Sequence, residues 1–137
     1  MTAGDPDLAV LDGWLAGADP VLRLPGDTDP EVVAGALRAL GLEPWCADLG
    51  SARDKGTMLA GLHAALDLGE WFGFNWDALE DALHGPEDRG VPERVLILSG
   101  FSGFRGRAPE EADTLLDIVR DVALIPESGL RGCVLIG

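Results

Sequence analysis

The sequence predicts an α/β domain with a largely parallel sheet of three to four strands packed by helices. Two observations carry this. Short apolar runs, Val21–Leu24, Glu43–Leu49, Val95–Leu98 and Cys133–Ile136, are separated by stretches with helical spacing of apolar residues. The order strand, helix, strand is that of βαβ units, whose right-handed crossovers make neighbouring strands parallel. The length of 137 residues, with 47% hydrophobic residues, suits one domain with a real core.

Taken in order, residues 1–6 read as frayed, and Leu8, Leu11, Trp14 and Leu15 as a short amphipathic helix between glycines. The first strand, Val21–Leu24, closes at Pro25-Gly26. Asp29-Pro30-Glu31 is a helix start: a cap, a proline at the first helical position and an acid in the first turn. That helix carries Val32, Val33, Ala36, Leu37 and Leu40 and stops at Gly41. The second strand, with Trp45 and Cys46, follows. A helix from Asp54 to about Leu68 buries Met58, Leu59, Leu62, Ala65 and Leu66, with His63 beside the stripe and Gly69 as its end. Beyond the segment Trp71–Gly85 comes a polar loop, Gly85–Glu93. Val95–Leu98 is continuously apolar, as in a strand covered on both faces. Gly100–Ala108 reads as a Gly-rich loop with Phe101 and Phe104 tucked beneath it. Pro109-Glu-Glu opens a last helix with the clearest stripe of the chain: Ala112, Leu115, Leu116, Val119, Val122 and Ala123.

Charge narrows the function. Ten Lys+Arg against 24 Asp+Glu give a formal charge of −14, which opposes direct binding to nucleic acid or an anionic membrane and permits a basic partner, with solubility or an acid-rich proteome as the plain alternative. The acid is unevenly placed: Gly56 to Asp88 holds seven carboxylates and no Lys or Arg. Cys46 and Cys133 sit in apolar runs and read as reduced, buried thiols rather than a disulfide framework. The acidic N-terminus lacks the apolar core of a signal peptide, and no run approaches membrane-spanning length, so a cytoplasmic protein is expected.

The segment Trp71-Phe-Gly-Phe-Asn-Trp-Asp-Ala-Leu-Glu-Asp-Ala-Leu-His-Gly85 is the most informative. Asn75 is a good N-cap and Gly85 suits the position past a helix end. Trp76, Leu79 and Leu83 form an apolar stripe, and Asp77, Glu80, Asp81 and His84 occupy the other side. Asp77 near the helix N-terminus is favoured by the macrodipole, a structural reading that stands beside the functional one. Asp81 one turn later repels Asp77. Carboxylates crowded in this way make sense if a cationic partner relieves the repulsion.

Enzyme chemistries fit poorly. No Ser or Thr stands in a nucleophile motif, and neither cysteine has a neighbour that would activate it. Asp81-x-x-His84 is a possible metal-ligand pair, but a carboxylate-bridged site needs a second such helix, and the only other histidine is His63. No metal, no cofactor and no enzymatic activity are expected. The carboxylates share one helix face, whereas glycosidase pairs face each other across a cleft.

Glu70-Trp-Phe-Gly-x-Asn-Trp-Asp-Ala-Leu-x-Asp-x-Leu83 closely resembles the signature of the barstar family of intracellular ribonuclease inhibitors. The resemblance runs from about Trp45 to Gly137. It implies a barstar-like domain over residues 43–137, with residues 1–42 as an N-terminal extension adding a short helix, a strand and a helix to the same domain. It also implies an inhibitor that plugs the active site of a small, basic microbial ribonuclease with an acidic helix standing in for RNA phosphates, and that is a monomer when free. On that likeness Asp77 and Asp81 match the two family aspartates that meet the enzyme's phosphate-binding site. Trp71 matches the first aromatic of the turn, Gly85 the glycine at the rim, and Asp121 the place of a contacting glutamate. There are departures. Gly69 replaces a proline before the turn, and Phe74 stands where the best-known member has an acid. Glu80 stands where that member has an aromatic contact, and Pro86 replaces a Trp. Glu80 is therefore the contact position at which this chain parts from its relatives. An alternative keeps the fold and changes the target: an interaction or immunity module for a different basic protein or toxin nuclease.

Overall fold

A computed structural model of the chain describes residues 8–69, 72–84 and 93–137. The elements are α1 (Leu8–Ala16), β1 (Val21–Leu24), α2 (Pro30–Ala39), β2 (Glu43–Asp48), α3 (Lys55–Leu66), α4 (Trp76–His84), β3 (Arg94–Ser99), α5 (Phe101–Arg107), α6 (Pro109–Ala123), a single 3-10 turn (Pro126–Ser128) and β4 (Leu130–Ile136). The four strands form one all-parallel sheet in the order β1-β4-β3-β2.

Side chains alternate across this sheet, as strand geometry requires. Val95, Ile97, Val134 and Ile136 face a cluster with Leu11 of α1 and Val33, Ala34 and Leu37 of α2. Leu96, Leu98, Cys133 and Leu135 face the larger core, with Met58, Leu59 and Leu62 of α3, Leu79 and Leu83 of α4, and Leu115, Val119 and Val122 of α6. Both faces are therefore covered, which is why β3 reads as an unbroken apolar run. The N-terminal segment lies close against β4: a Cβ on Gly132 would stand 2.5 Å from the Pro20 carbonyl and 2.7 Å from the Trp14 ring. Only glycine fits there.

Local chemistry explains the helix starts. Asp29 accepts the Glu31 N–H at 2.9 Å, with Pro30 at the first position of α2. Asp54 accepts the Thr57 N–H at 2.8 Å, while the Thr57 hydroxyl oxygen accepts the Asp54 N–H at 3.1 Å, a reciprocal capping box for α3.

Four sequence expectations change. Gly100–Ala108 is not a loop: Gly100, at φ +66°, turns the chain out of β3 directly into α5. Its Phe101 and Phe104 are buried as anticipated, and Arg107 donates to the carbonyls of Ala52 and Gly50, each at 2.8 Å. Packing of two buried rings overrides the weak helix propensity of the glycines. The end of α3 is Asp67, left-handed at φ 51°, two residues before Gly69. Ala65 on α3 is exposed rather than part of the buried face. β4 begins at Leu130, three residues before the run that announces it, because the register shift at Arg94/Val95 accommodates exposed Arg131.

Candidate functional site

The candidate surface is built on α4 and the turn before it. His63, on α3, bonds through Nε2 to the Gly69 carbonyl oxygen at 2.8 Å. Its ring stacks on Phe72 with centroids 5.7 Å apart, and Phe74 lies 4.9 Å from His63 and 5.1 Å from Phe72. Phe72 is buried, whereas Phe74 is 48% exposed and held at φ +53°. A left-handed phenylalanine is uncommon and carries a steric cost.

Asn75 then caps α4 as its sequence position indicates: Oδ1 accepts the Ala78 N–H at 2.7 Å. Leu79, Ala82 and Leu83 are buried, and Trp76 packs partly buried against the same core, with the Lys55 ammonium 5.4 Å from its ring. The opposite side carries the carboxylates. Asp77 and Asp81 are exposed and Glu80 is partly buried. Among the described residues the ion pairs are Arg105–Asp113 and Arg120–Asp19, and none of these three carboxylates takes part in one there.

Asp121 is exposed near the end of α6, which packs beside α4. The structure thus puts Asp77, Glu80 and Asp81 on one helix and Asp121 on its neighbour. Asp117, also exposed and one turn before Asp121, belongs with this candidate set. Its i, i+4 spacing repeats that of Asp77 and Asp81, a signal already present in the sequence. Asp81 and Asp121 both sit in the last turn of their helices. There the helix dipole is negative and a carboxylate is disfavoured. Trp71 and Gly85, and with Gly85 the departure at Pro86, lie outside the described residues.

The two cysteines are free. Burial pushes the Cys133 thiol far above the ordinary range, and burial, with the Glu31 charge adding, raises that of Cys46. Among the described residues no three His, Cys, Asp or Glu side chains are grouped to hold a metal ion. No helix among them is long and apolar enough to cross a membrane.

A family model described as Barstar (barnase inhibitor) matches residues 44–129, well over half of the chain. The chain belongs to the barstar family. The match begins in β2 and ends just before β4, so it contains α3, the turn, α4, β3, α5 and α6. The four-stranded parallel sheet with helices on both faces agrees with a barstar-like α/β fold. Barstar family members are inhibitors of ribonucleases such as barnase rather than enzymes, and the two acidic helices lie inside the matched region. A comparison with curated proteins finds no match.

Proposed function

We propose that this chain is a proteinaceous inhibitor that blocks the basic active site of a small secreted microbial ribonuclease. The α4 carboxylates occupy the positions of RNA phosphates. Asp77, Glu80 and Asp81 form the centre of the contact, Asp121 meets the enzyme from α6, and Trp71 and Gly85 flank α4. One observation carries this reading: an exposed helix face holds Asp77 and Asp81 four residues apart, and neither is ion-paired among the described residues. The helix dipole accounts for Asp77 but not for Asp81, and a cationic partner would relieve the repulsion between them. The inhibitor acts in the cytoplasm as a monomer and neutralises the enzyme before export. The N-terminal extension belongs to the same domain in this reading, which the packing of α1 and α2 on one face of the sheet supports.

The test is inhibition of a panel of small basic secreted ribonucleases, barnase among them, at several salt concentrations and against competing RNA. Binding is fast, weakened by salt and competitive with RNA. Asp81→Ala weakens it most while leaving the far-UV spectrum intact. Unchanged inhibition by Asp81→Ala rules the plug out.

A second reading retains the surface and changes the target to a different basic protein or toxin nuclease. Phe74 favours it: a half-exposed ring in strained backbone beside the acidic helix reshapes the contact. The same assay with toxin nucleases separates the two, since only one class of enzyme is inhibited.

A further inference from the structure

Arg94 opens β3 and is buried, with 5% of its surface exposed. Its Nη2 donates to the Leu83 carbonyl at 2.7 Å and to the Ser128 carbonyl at 2.8 Å. The guanidinium lies over the Trp45 ring, 4.3 Å from its centroid, and Nη1 has no hydrogen-bond partner among the described residues. Burial holds its pKa below the usual arginine range, with the Glu43 charge opposing. No carboxylate pairs with it among the described residues. Desolvating an arginine without an ion-pair partner is costly, and an aliphatic residue would serve the start of an apolar strand better. The charge therefore has another purpose.

Its two acceptors give that purpose. Leu83 is in the last turn of α4, two residues after Asp81. Ser128 is in the turn that follows α6, and its hydroxyl donates to the Val122 carbonyl at 2.7 Å, next to Asp121. One guanidinium thus ties the C-terminal end of α4 to the C-terminal end of α6. The Arg94 N–H adds a bond to the Gly129 carbonyl at 2.7 Å, fixing this junction to the sheet. A cation beneath two negative helix ends also offsets the cost of carrying Asp81 and Asp121 there.

We propose that Arg94 is the positioning residue of the inhibitory surface: by clamping Leu83 and Ser128 it holds α4 and α6 in one fixed relation, so that Asp77 and Asp81 on one helix and Asp121 on the other meet a basic partner as a preformed unit. This rests on the inhibitor reading above. Arg94 touches no partner and acts through the two helices.

The experiment compares the full chain with Arg94→Met and Arg94→Lys by hydrogen exchange and by stopped-flow binding to the ribonucleases inhibited by the unaltered chain. In Arg94→Met, amides of α4 and of residues 122–130 exchange about tenfold faster together, while those of α2 do not change. Dissociation quickens about tenfold, whereas association is not slowed, because the variant is one unit more negative than −14. Arg94→Lys, able to make one contact well but not to fork across two, lies between. A purely structural role would lower stability and leave dissociation of the folded protein unchanged. That outcome, or independent exchange of the two segments, overturns the proposal. If Arg94→Met does not fold, unchanged dissociation and exchange in Arg94→Lys overturn it equally. If the unaltered chain inhibits no ribonuclease, the inhibitor reading fails, and joint or independent exchange still decides whether Arg94 couples the helices.

Discussion

Replacing Asp81 by lysine should make the free protein more stable while abolishing its inhibition. Asp81 is exposed, lies four residues after exposed Asp77 and has no ion pair among the described residues. Removing the like-charge pair relieves roughly 0.2–0.5 kcal/mol, and an acid followed by a base at that spacing gains a similar amount. Position 81 lies in the last turn of α4, where exchanging an anion for a cation contributes roughly another 0.3–1 kcal/mol. The buried Arg94 beneath that helix end reduces this last gain. A net stabilisation of about 1 kcal/mol is expected at low salt, equivalent to roughly 3–4 °C in Tm for a domain of 137 residues. Thermal and urea unfolding followed by circular dichroism measure it, at low ionic strength and again near 0.5 M salt, where screening should shrink the difference. An unchanged or lower stability at low salt would refute the reasoning. It would mean that Asp81 serves the fold, and the argument that it is held for a partner would lose its basis.

Three further outcomes follow from particular contacts. Leu79→Ala, at a fully buried position, should cost about 2–5 kcal/mol in urea unfolding, while the folded fraction still inhibits with unaltered affinity. Asn75→Ala removes the side-chain acceptor of the Ala78 N–H and should cost about 1 kcal/mol, with faster amide exchange confined to the first turn of α4. Acid should destabilise the domain through Asp19 and Asp54. The Val21 N–H, aided by Arg120, lowers the Asp19 pKa, and the Thr57 N–H and hydroxyl lower that of Asp54. A depressed folded pKa gives stability that is present above the unfolded value, near 4, and lost as pH falls through the folded value. The urea midpoint should therefore fall below about pH 4, and Asp19→Asn should flatten part of that slope.

The fold was legible wherever backbone chemistry and burial periodicity agreed. Val21–Leu24, the Asp29-Pro30 start of α2 and the Asn75 cap of α4 appear where local rules place them. The candidate site was legible as a surface because α4 separates its residues by face: Leu79 and Leu83 are buried, Asp77 and Asp81 exposed. What escaped was set by tertiary contact. Helix α5 forms across glycines because Phe101 and Phe104 insert into the core and Arg107 binds the carbonyls of the preceding loop. Ala65 has the right spacing for burial, yet it is exposed. Arg94 was invisible because its partners, Leu83 and Ser128, lie 11 and 34 residues away in sequence and bind it through backbone carbonyls.

The carboxylates stand on a helix whose every support precedes binding. Asn75 fixes its start, the buried stripe fixes its rotation, and Arg94 fixes its end. The turn leading into it is braced from beneath by His63 against Gly69 and Phe72. A flexible acidic tail could carry the same charge and attract the same partner, but it would lose conformational entropy on docking. On α4 that cost falls during folding, together with the repulsion between Asp77 and Asp81. In the proposed complex a cationic surface would relieve that repulsion, so part of the charge strain held in the free protein would become a preference for the bound state. Rigidity and like-charge crowding therefore act in the same direction. The crowding disfavours the free chain and the rigidity spares the complex an entropy cost, so in the proposed function both would favour a basic partner whose cations match the spacing of the carboxylates.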